Sequence, residues 1–145
     1  MSQVFYLVRH AEAEKGSGGP DAERRLTPAG RAAFEALARS LGPSVRLAGI
    51  LCSTLLRARE TAKILSAATG APVAVEPKLG AGQCTGSELL SLGQAAGGGV
   101  ALVGHNPEVA EAVRLAAGGE RKVPPGAVAA VEGGPPWRLS WLRAP

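Results

Sequence analysis

Aromatic residues and cysteine are both scarce in this chain. Aromatic residues make up 3% of the sequence, so alanine, valine and leucine must fill any core. The two cysteines, Cys52 and Cys84, form no CxxC pair, which argues against a disulfide framework and against a cysteine-based metal site. Glycine and proline are plentiful but dispersed among turns, so the composition does not indicate disorder.

Long apolar runs are also missing. None approaches the roughly 20 residues that a membrane span needs, so no membrane partner is expected. The N-terminus lacks a basic region followed by a long apolar segment and a cleavage site, because its first apolar run leads into Arg9 and His10. We therefore expect a cytoplasmic protein.

A concentrated basic patch is the third absence. The 16 Lys and Arg residues outnumber the 12 Asp and Glu residues, but they are scattered and have acidic neighbours. There is no stripe of interleaved basic and aromatic residues of the kind that single-strand binders use. We predict no nucleic-acid partner, and the net charge of +4 suits an anionic substrate.

Strand and helix patterns alternate along the first 118 residues, which predicts an α/β fold: a three-layer α/β/α sandwich with a mostly parallel central sheet. With 145 residues, a single domain spanning 1–145 is expected. The predicted strands are 4–8, 47–52, 72–75, 99–103, 126–131 and 137–142, and the predicted helices are 28–41, 54–69, 88–96 and 107–117. The last two strands form an edge hairpin in which Trp137 and Trp141 face one side.

Both histidines of the chain follow apolar strands. His10 comes after the strand that ends in Arg9, and His105 follows the strand at 99–103. Arg57 lies in the first turn of the helix after a third strand. In open α/β sheets, ligands bind beyond the carboxyl ends of the strands, so these side chains are expected to meet. The polar, glycine-rich loop 12–25 should lie over this site or beside it.

Three segments carry a family resemblance. Arg9-His10-Ala11, residues 53–61 and residues 104–107 resemble the signature blocks of the histidine phosphatase superfamily, also called the phosphoglycerate mutase-like superfamily. The short chain and the segment 26–30 resemble its small SixA-type phosphohistidine phosphatase branch. The resemblance covers nearly the whole chain and implies the phosphoglycerate mutase-like fold.

The resemblance implies that His10 is the nucleophile and that Arg9, Arg57 and His105 form the phosphate pocket. Chemistry agrees, because a neutral imidazole is a competent nucleophile and guanidinium groups suit phosphate oxygens. Three nearby hydroxyl residues each have two interpretations. Ser53 and Thr54 suit either a helix cap or a contact with phosphate, and Thr61 suits either a packed helix position or a position of the family signature.

A general acid is not apparent. Many members of the family carry a Glu or Asp in the loop after the third strand, but residues 79–86 contain no carboxylate. An alkoxide leaving group needs a proton donor more than the imidazole of phosphohistidine does. The sequence therefore favours a phosphohistidine phosphatase that acts on a phosphorylated protein through a phosphohistidine on His10.

Two alternatives remain open. One is a phosphatase for a small phosphate ester, with Glu12, Glu14 or Glu88 as the acid. The other is a non-catalytic phosphate-binding module. No metal or organic cofactor is expected, because arginines beside both histidines repel a cation.

Overall fold

The computed structural model describes residues 3–16 and 18–145 and arranges them around a six-stranded sheet. The strands are β1 (Val4–Arg9), β2 (Gly49–Cys52), β3 (Val73–Val75), β4 (Val100–Gly104), β5 (Val128–Glu132) and β6 (Arg138–Arg143). In space they lie in the order β3-β2-β4-β1-β5-β6. The first four in this order are parallel to one another, whereas β5 pairs antiparallel with β1, and β6 pairs antiparallel with β5. The predicted mostly parallel sheet is confirmed.

Four helices cover the two faces of the sheet. They are α1 (Pro28–Leu41), α2 (Leu56–Thr69), α3 (Gly86–Ala96) and α4 (Glu108–Ala117). Helices α1 and α2 pack together over one face, and α3 and α4 pack together over the other. The predicted three-layer sandwich is therefore confirmed. In the described parts of the chain, none of the helices combines the length and the apolarity that a membrane crossing requires.

Alternation along the central strands supplies both faces of the core. In β1, Phe5 and Leu7 pack towards α3 and α4, whereas Val8 packs towards α1 and α2. Leu102 and Val103 of β4 divide in the same way. Burial of each such side chain stabilises the fold by roughly 1.5–3 kcal/mol before the entropy cost. The sheet is thus held rigidly from both sides.

Several helices begin at residues other than the predicted ones. Helix α3 begins at Gly86 instead of 88, because Thr85 caps it: the Thr85 hydroxyl accepts from the Glu88 amide at 3.1 Å. The Glu88 carboxylate accepts from the Thr85 amide at 3.0 Å in return. Helix α2 begins at Leu56 instead of 54, because the Ser53 hydroxyl accepts from the Leu55 amide and keeps this turn extended.

The predicted orientation of the two tryptophans is wrong. Trp141 packs with the core cluster under α1 and α2, whereas Trp137 packs with the cluster under α3 and α4. A register shift explains the difference, because Ala130 pairs with Trp141 while the next residue, Val131, pairs with Leu139. One extra residue on β6 reverses which face the later side chains meet.

Two described parts of the loop 12–25, residues 12–16 and 18–25, contribute side chains to the carboxyl ends of the strands. Ala13 and Leu26 form an antiparallel bridge, and Asp21–Glu23 form a turn of 3₁₀-helix that packs on α2. Ser17 lies outside the described residues. The loop therefore borders the edge of the sheet where His10 and His105 are found.

Candidate active site

Strand register brings the two histidines together. Arg9 at the end of β1 pairs with Gly104 at the end of β4, and the next residue in each chain segment is a histidine. The His10 amide donates to the Gly104 carbonyl at 3.1 Å. The two imidazole ring centroids lie 5.1 Å apart. Two apolar strands thus deliver both imidazoles to one point, as the sequence predicts.

Strand β2 adds the third component from the other side of β4. The amide of Ser53, which follows β2, donates to the Val103 carbonyl at 3.1 Å. The first turn of α2 follows directly and places Arg57 beside the histidines, with only 5% of Arg57 exposed. All four predicted site residues line one cavity of about 280 Å³. Its other lining residues are Glu12, Ala13, Arg24, Ala81, Asn106 and Pro125.

His10 is held as a neutral imidazole whose Nε2 has no hydrogen-bond partner among residues 3–16 and 18–145. Its Nδ1 lies 2.7 Å from the Ala11 carbonyl, which can only accept, so Nδ1 carries the proton and donates. Burial, partly offset by this bond and reinforced by Arg57 and Arg9, lowers the pKa of His10 to about 4. The Nε2 lone pair is therefore available near neutral pH, which a nucleophile requires.

His105 is more deeply buried, with 3% of its surface exposed. Burial, followed by the neighbouring His10 and Arg57, lowers the pKa of His105 to about 3. Its Nε2 lies 2.8 Å from the hydroxyl of Ser53. This ring is accordingly also neutral, and one of its nitrogens is tied to the end of β2.

The two arginines retain unused N–H groups. Arg9 donates through Nη1 to the Val123 carbonyl at 3.0 Å, and Arg57 donates through Nη1 to the Asp21 carbonyl at 2.9 Å. Within residues 3–16 and 18–145, the buried Nε atoms of Arg9 and Arg57 have no hydrogen-bond partner. Both guanidinium groups can therefore donate further bonds to an anion in the cavity.

One carboxylate of the loop 12–25, that of Asp21, interacts with the guanidinium groups of Arg57 and Arg24. Asp21 accepts from Nη2 of Arg57 at 3.2 Å and from Nε of Arg24 at 2.9 Å. The Arg57 guanidinium, with Arg24, holds the pKa of Asp21 below its usual range. The sequence did not indicate Arg24 or Asp21 as site residues. Before the loop is folded, nothing distinguishes Arg24 from Lys15 and Arg25, or Asp21 from the other acidic residues of the loop.

Thr61, in α2, connects two parts of the same site through hydrogen bonds of its hydroxyl. Its hydroxyl, which is fully buried, accepts from the amide of Ala11 at 3.0 Å and donates to the Arg57 carbonyl at 2.8 Å. Ala11 also supplies the carbonyl that binds Nδ1 of His10. Thr61 therefore couples the peptide that orients His10 to the helical turn that carries Arg57. Of its two interpretations, a packed structural role beside the site fits these contacts.

The candidate acids lie in different places. Glu88 caps α3 and does not line the cavity, and Glu14 is exposed outside it. Glu12 does line the cavity, and its Oε1 accepts from the Thr27 hydroxyl at 2.8 Å. The loop 79–86 contributes Ala81, and the carboxylate of Glu108, 7% exposed, accepts from the Gly82 amide in the same loop.

A metal would find few ligands here. Over residues 3–16 and 18–145, no three His, Cys, Asp or Glu side chains are arranged to hold one. The two neutral imidazoles are surrounded by guanidinium groups, which favour an anion. Chemically, the cavity combines a free imidazole nitrogen with several fixed donors, an arrangement suited to phosphoryl transfer.

Comparison with known proteins agrees with this chemistry. The model of the histidine phosphatase superfamily (branch 1) matches residues 5–89. The chain is similar to the solved structure of a protein from Agrobacterium tumefaciens that is named phosphohistidine phosphatase SixA. That pair shares 29% identity with a TM-score of 0.84, over 99% of this chain and 98% of that chain.

Two further solved structures share the fold. The protein histidine phosphatase SixA in complex with tungstate has 22% identity and a TM-score of 0.83, over 97% of this chain and 96% of that one. A protein from Nakamurella multipartitia, also named phosphohistidine phosphatase SixA, has 23% identity and a TM-score of 0.79, over 100% and 97%. No curated protein sequence matches the chain.

Proposed function

The chain belongs to branch 1 of the histidine phosphatase superfamily, and from this premise we propose that it hydrolyses phosphohistidine on a phosphorylated protein. The coarser part, a phosphatase that resembles the SixA type, is supported by the family model and by the structural neighbours. The finer part is the substrate, and it rests on the cavity itself.

In the first step, Nε2 of His10 attacks the phosphorus atom, and the bond between phosphorus and the substrate imidazole breaks. Nδ1 of His10 donates to the Ala11 carbonyl, which keeps the attacking lone pair on Nε2. The substrate imidazole leaves with the bonding electron pair, and a proton already carried on its other nitrogen makes the departing ring neutral. In the second step, water attacks the phosphorus, inorganic phosphate is released, and His10 returns to its neutral state.

The cationic groups provide most of the catalysis in this proposal. Phosphoryl transfer spreads negative charge over the non-bridging oxygens, so fixed donors around them lower the barrier. Arg9 and Arg57 each have an unpartnered buried Nε in the described chain, and His105 adds a neutral donor. Because these groups are already oriented by the strands and by α2, little reorganisation is needed.

The observation that carries the choice of substrate is the residue that the loop 79–86 places in the cavity. It is Ala81, which can give no proton. A sugar or other alkyl phosphate would leave as an alkoxide and would need an acid there. A protonated phosphohistidine ring needs none, so the site fits this leaving group.

A small phosphate ester is the second candidate, and one contact favours it. Glu12 lines the cavity, and its hydrogen bond with Thr27 holds it there. If Glu12 acts as the acid, Glu12→Gln lowers kcat on an alkyl phosphate by roughly 10²-fold or more, while a phosphohistidine peptide is unaffected. Glu88→Gln is the matched control, because Glu88 lies at the cap of α3.

Two comparisons test the proposal. The first compares kcat/KM for a phosphohistidine peptide with kcat/KM for an alkyl phosphate, and the second repeats both assays with a chelator. We expect preference for the peptide and equal rates with the chelator, since we also propose that no metal is needed. A preference for the alkyl phosphate would overturn the substrate assignment, and loss of activity with the chelator would overturn metal independence. Phosphate binding without turnover of either compound would support the binding-module alternative.

A further inference from the structure

Ser53 and His105 form a buried polar pair at the back of the cavity. Ser53 is fully buried and His105 is 3% exposed, and the Ser53 hydroxyl lies 2.8 Å from Nε2 of the imidazole. They follow neighbouring strands, β2 and β4, whose register fixes this approach. The distance alone does not say which atom carries the proton, so the surroundings must decide it.

The remaining contact of the Ser53 hydroxyl settles the direction. Its oxygen already accepts from the amide of Leu55 at 3.1 Å, so its own proton needs an acceptor. In residues 3–16 and 18–145, the other hydrogen-bonding atom within reach is Nε2 of His105. If Ser53 donates to Nε2, the hydroxyl oxygen accepts from the Leu55 amide and the hydroxyl proton is donated to His105. Both the hydroxyl group and Nε2 then have partners.

The opposite direction leaves more groups unpaired. If Nε2 carried the proton and donated to Ser53, the hydroxyl proton would have no acceptor in the described chain. Nδ1 of His105 has no partner there in either direction, so the unsatisfied hydroxyl proton of Ser53 is what distinguishes the two arrangements. Each unsatisfied buried group costs about 1–3 kcal/mol, so this arrangement is disfavoured.

We infer that Ser53 is a positioning residue that holds His105 in the tautomer protonated on Nδ1, so that this N–H is the group offered to a phosphoryl oxygen. The role at the phosphate rests on the proposed function, whereas the tautomer does not. The strongly lowered pKa of His105 leaves the ring neutral, and a neutral ring has a single N–H to place. The other tautomer would present a lone pair to an anion.

The two histidines would then share one tautomer but perform opposite tasks. The Ala11 carbonyl places the proton of His10 on Nδ1, which frees Nε2 to attack. Ser53 places the proton of His105 on the same atom, where it becomes a donor. The different partners at the ends of β1 and β4 thus distinguish nucleophile from donor.

Nitrogen NMR tests the tautomer directly. Long-range ¹H–¹⁵N correlation separates protonated from unprotonated ring nitrogens, and the chain has only two histidines to assign. At pH 7 we expect an unprotonated Nε2 and a protonated Nδ1 for both rings. A protonated Nε2 on His105 in the wild-type protein would overturn the inference without any variant being made.

Substitution then tests the role of the hydroxyl. In Ser53→Ala we expect the His105 signals to shift towards the Nε2-protonated form, while His10 keeps its own pattern as an internal control for folding. We expect kcat for phosphate release to fall roughly 10–10²-fold with a smaller change in KM, as for loss of one oriented donor. Ser53→Thr, which retains the hydroxyl, should restore the tautomer.

The outcomes separate the two proposals. An unchanged His105 tautomer in Ser53→Ala would overturn the role of Ser53, even if phosphohistidine is hydrolysed normally. A wild-type protein that fails to hydrolyse phosphohistidine would overturn the proposed function, while the NMR result on the tautomer would still stand. If Ser53→Ala does not fold, the wild-type spectrum still tests the tautomer, and Ser53→Cys, whose thiol is a weaker donor of similar size, tests the role of the hydroxyl.

Discussion

The site residues differ in what orients each one. His10 depends on a backbone carbonyl, His105 on a side-chain hydroxyl, and Arg9 on the Val123 carbonyl. Backbone partners persist whenever the local fold persists, so substitutions elsewhere disturb them less. His105 is therefore the residue whose orientation is most open to change by a single side-chain replacement.

Arg57 offers a test of donor geometry at the residue scale. A guanidinium presents several donors in a fixed plane, whereas a lysine ammonium is a compact point charge. We expect Arg57→Lys to lower kcat/KM by roughly 10²–10³-fold although the charge is retained. Steady-state kinetics on the phosphohistidine peptide measure this.

The matched control for that variant is Arg59→Lys, two residues further along α2. Arg59 is exposed and does not line the cavity, so its replacement should leave kcat/KM within about twofold of wild type. If Arg57→Lys were as active as Arg59→Lys, the planar donors of Arg57 would have no role in the reaction.

At the residue scale, the sequence predicted the side chains that end an element. Arg9 is the last residue of a strand, His10 and His105 each follow a strand, and Arg57 lies in the first turn of a helix. At these positions the apolar pattern stops and a polar functional group follows. Arg24 could not be found in this way, because its contact with the cavity depends on how an irregular loop turns.

The loop 12–25 is the element with the clearest influence on the site. Its Asp21 accepts from the same Arg57 guanidinium that phosphate would need. Removing that carboxylate charge should strengthen binding of inorganic phosphate, by roughly two- to fivefold because the pair is partly exposed to solvent. The measurement is the inhibition constant of phosphate for Asp21→Asn beside wild type.

Glu23→Gln provides the control for charge alone, since Glu23 lies in the same 3₁₀ turn but makes no ion pair in the described structure. Its inhibition constant should match that of wild type. Weaker phosphate binding in Asp21→Asn would contradict the prediction and would mean that Asp21 chiefly orients Arg57.

Helix α3 depends on one glycine in its interior. A Cβ on Gly93 would overlap the ring of Phe5, a fully buried side chain of β1. Gly93→Ala should therefore reduce the free energy of unfolding by about 1–3 kcal/mol, despite the better helix propensity of alanine. Urea denaturation measures the change.

Gly49→Ala is a useful comparison for the substitution in α3, because nothing lies within 4 Å of a Cβ at Gly49 in the described structure. We expect a change within about 0.5 kcal/mol there. Equal effects at the two positions would show that close packing of α3 on β1 is not what requires Gly93.

Elements were predicted better than their ends. Every strand and helix foreseen from the apolar pattern is present, because burial on two sheet faces sets that pattern. Their ends depend on single hydrogen bonds, such as the reciprocal cap between Thr85 and Glu88, that the hydrophobic pattern does not reveal. The orientation of Trp137 was also not revealed by the hydrophobic pattern, because it is reversed by one extra residue in β6.

At the scale of the whole molecule, the order of the strands in the sheet could not be predicted from the sequence. Alternating strands and helices predict parallel pairing, but placing β4 between β1 and β2 requires choosing among crossovers that the local pattern does not distinguish. That choice creates the site, because it places His105 between His10 and the start of α2.

The stability of the whole molecule should depend on pH through the two buried histidines. Their pKa values are about 4 and about 3 when folded, below the 6.5 of an unfolded chain. From pH 6.5 down to about 4, the unfolded chain takes up protons that the folded chain refuses, so the free energy of unfolding falls. The expected loss is on the order of a few kcal/mol.

Thermal unfolding between pH 7 and pH 5 measures this dependence. We propose that residues 1–145 form one domain, so a single transition should move to lower temperature as the pH falls. In His10→Asn the movement should be smaller, since one titrating group is gone. A midpoint that is unchanged between pH 7 and pH 5, or two separate transitions, would contradict the expectation.

The most direct test of the proposed reaction is to trap the phosphorylated enzyme. The protein is mixed with a phosphohistidine peptide, quenched within milliseconds in alkali, which preserves phosphohistidine, and digested for mass spectrometry. We expect one phosphate on His10 in the wild-type protein and none in His10→Asn. Phosphate on another residue, or turnover that persists in His10→Asn, would contradict the assignment of His10 as the nucleophile.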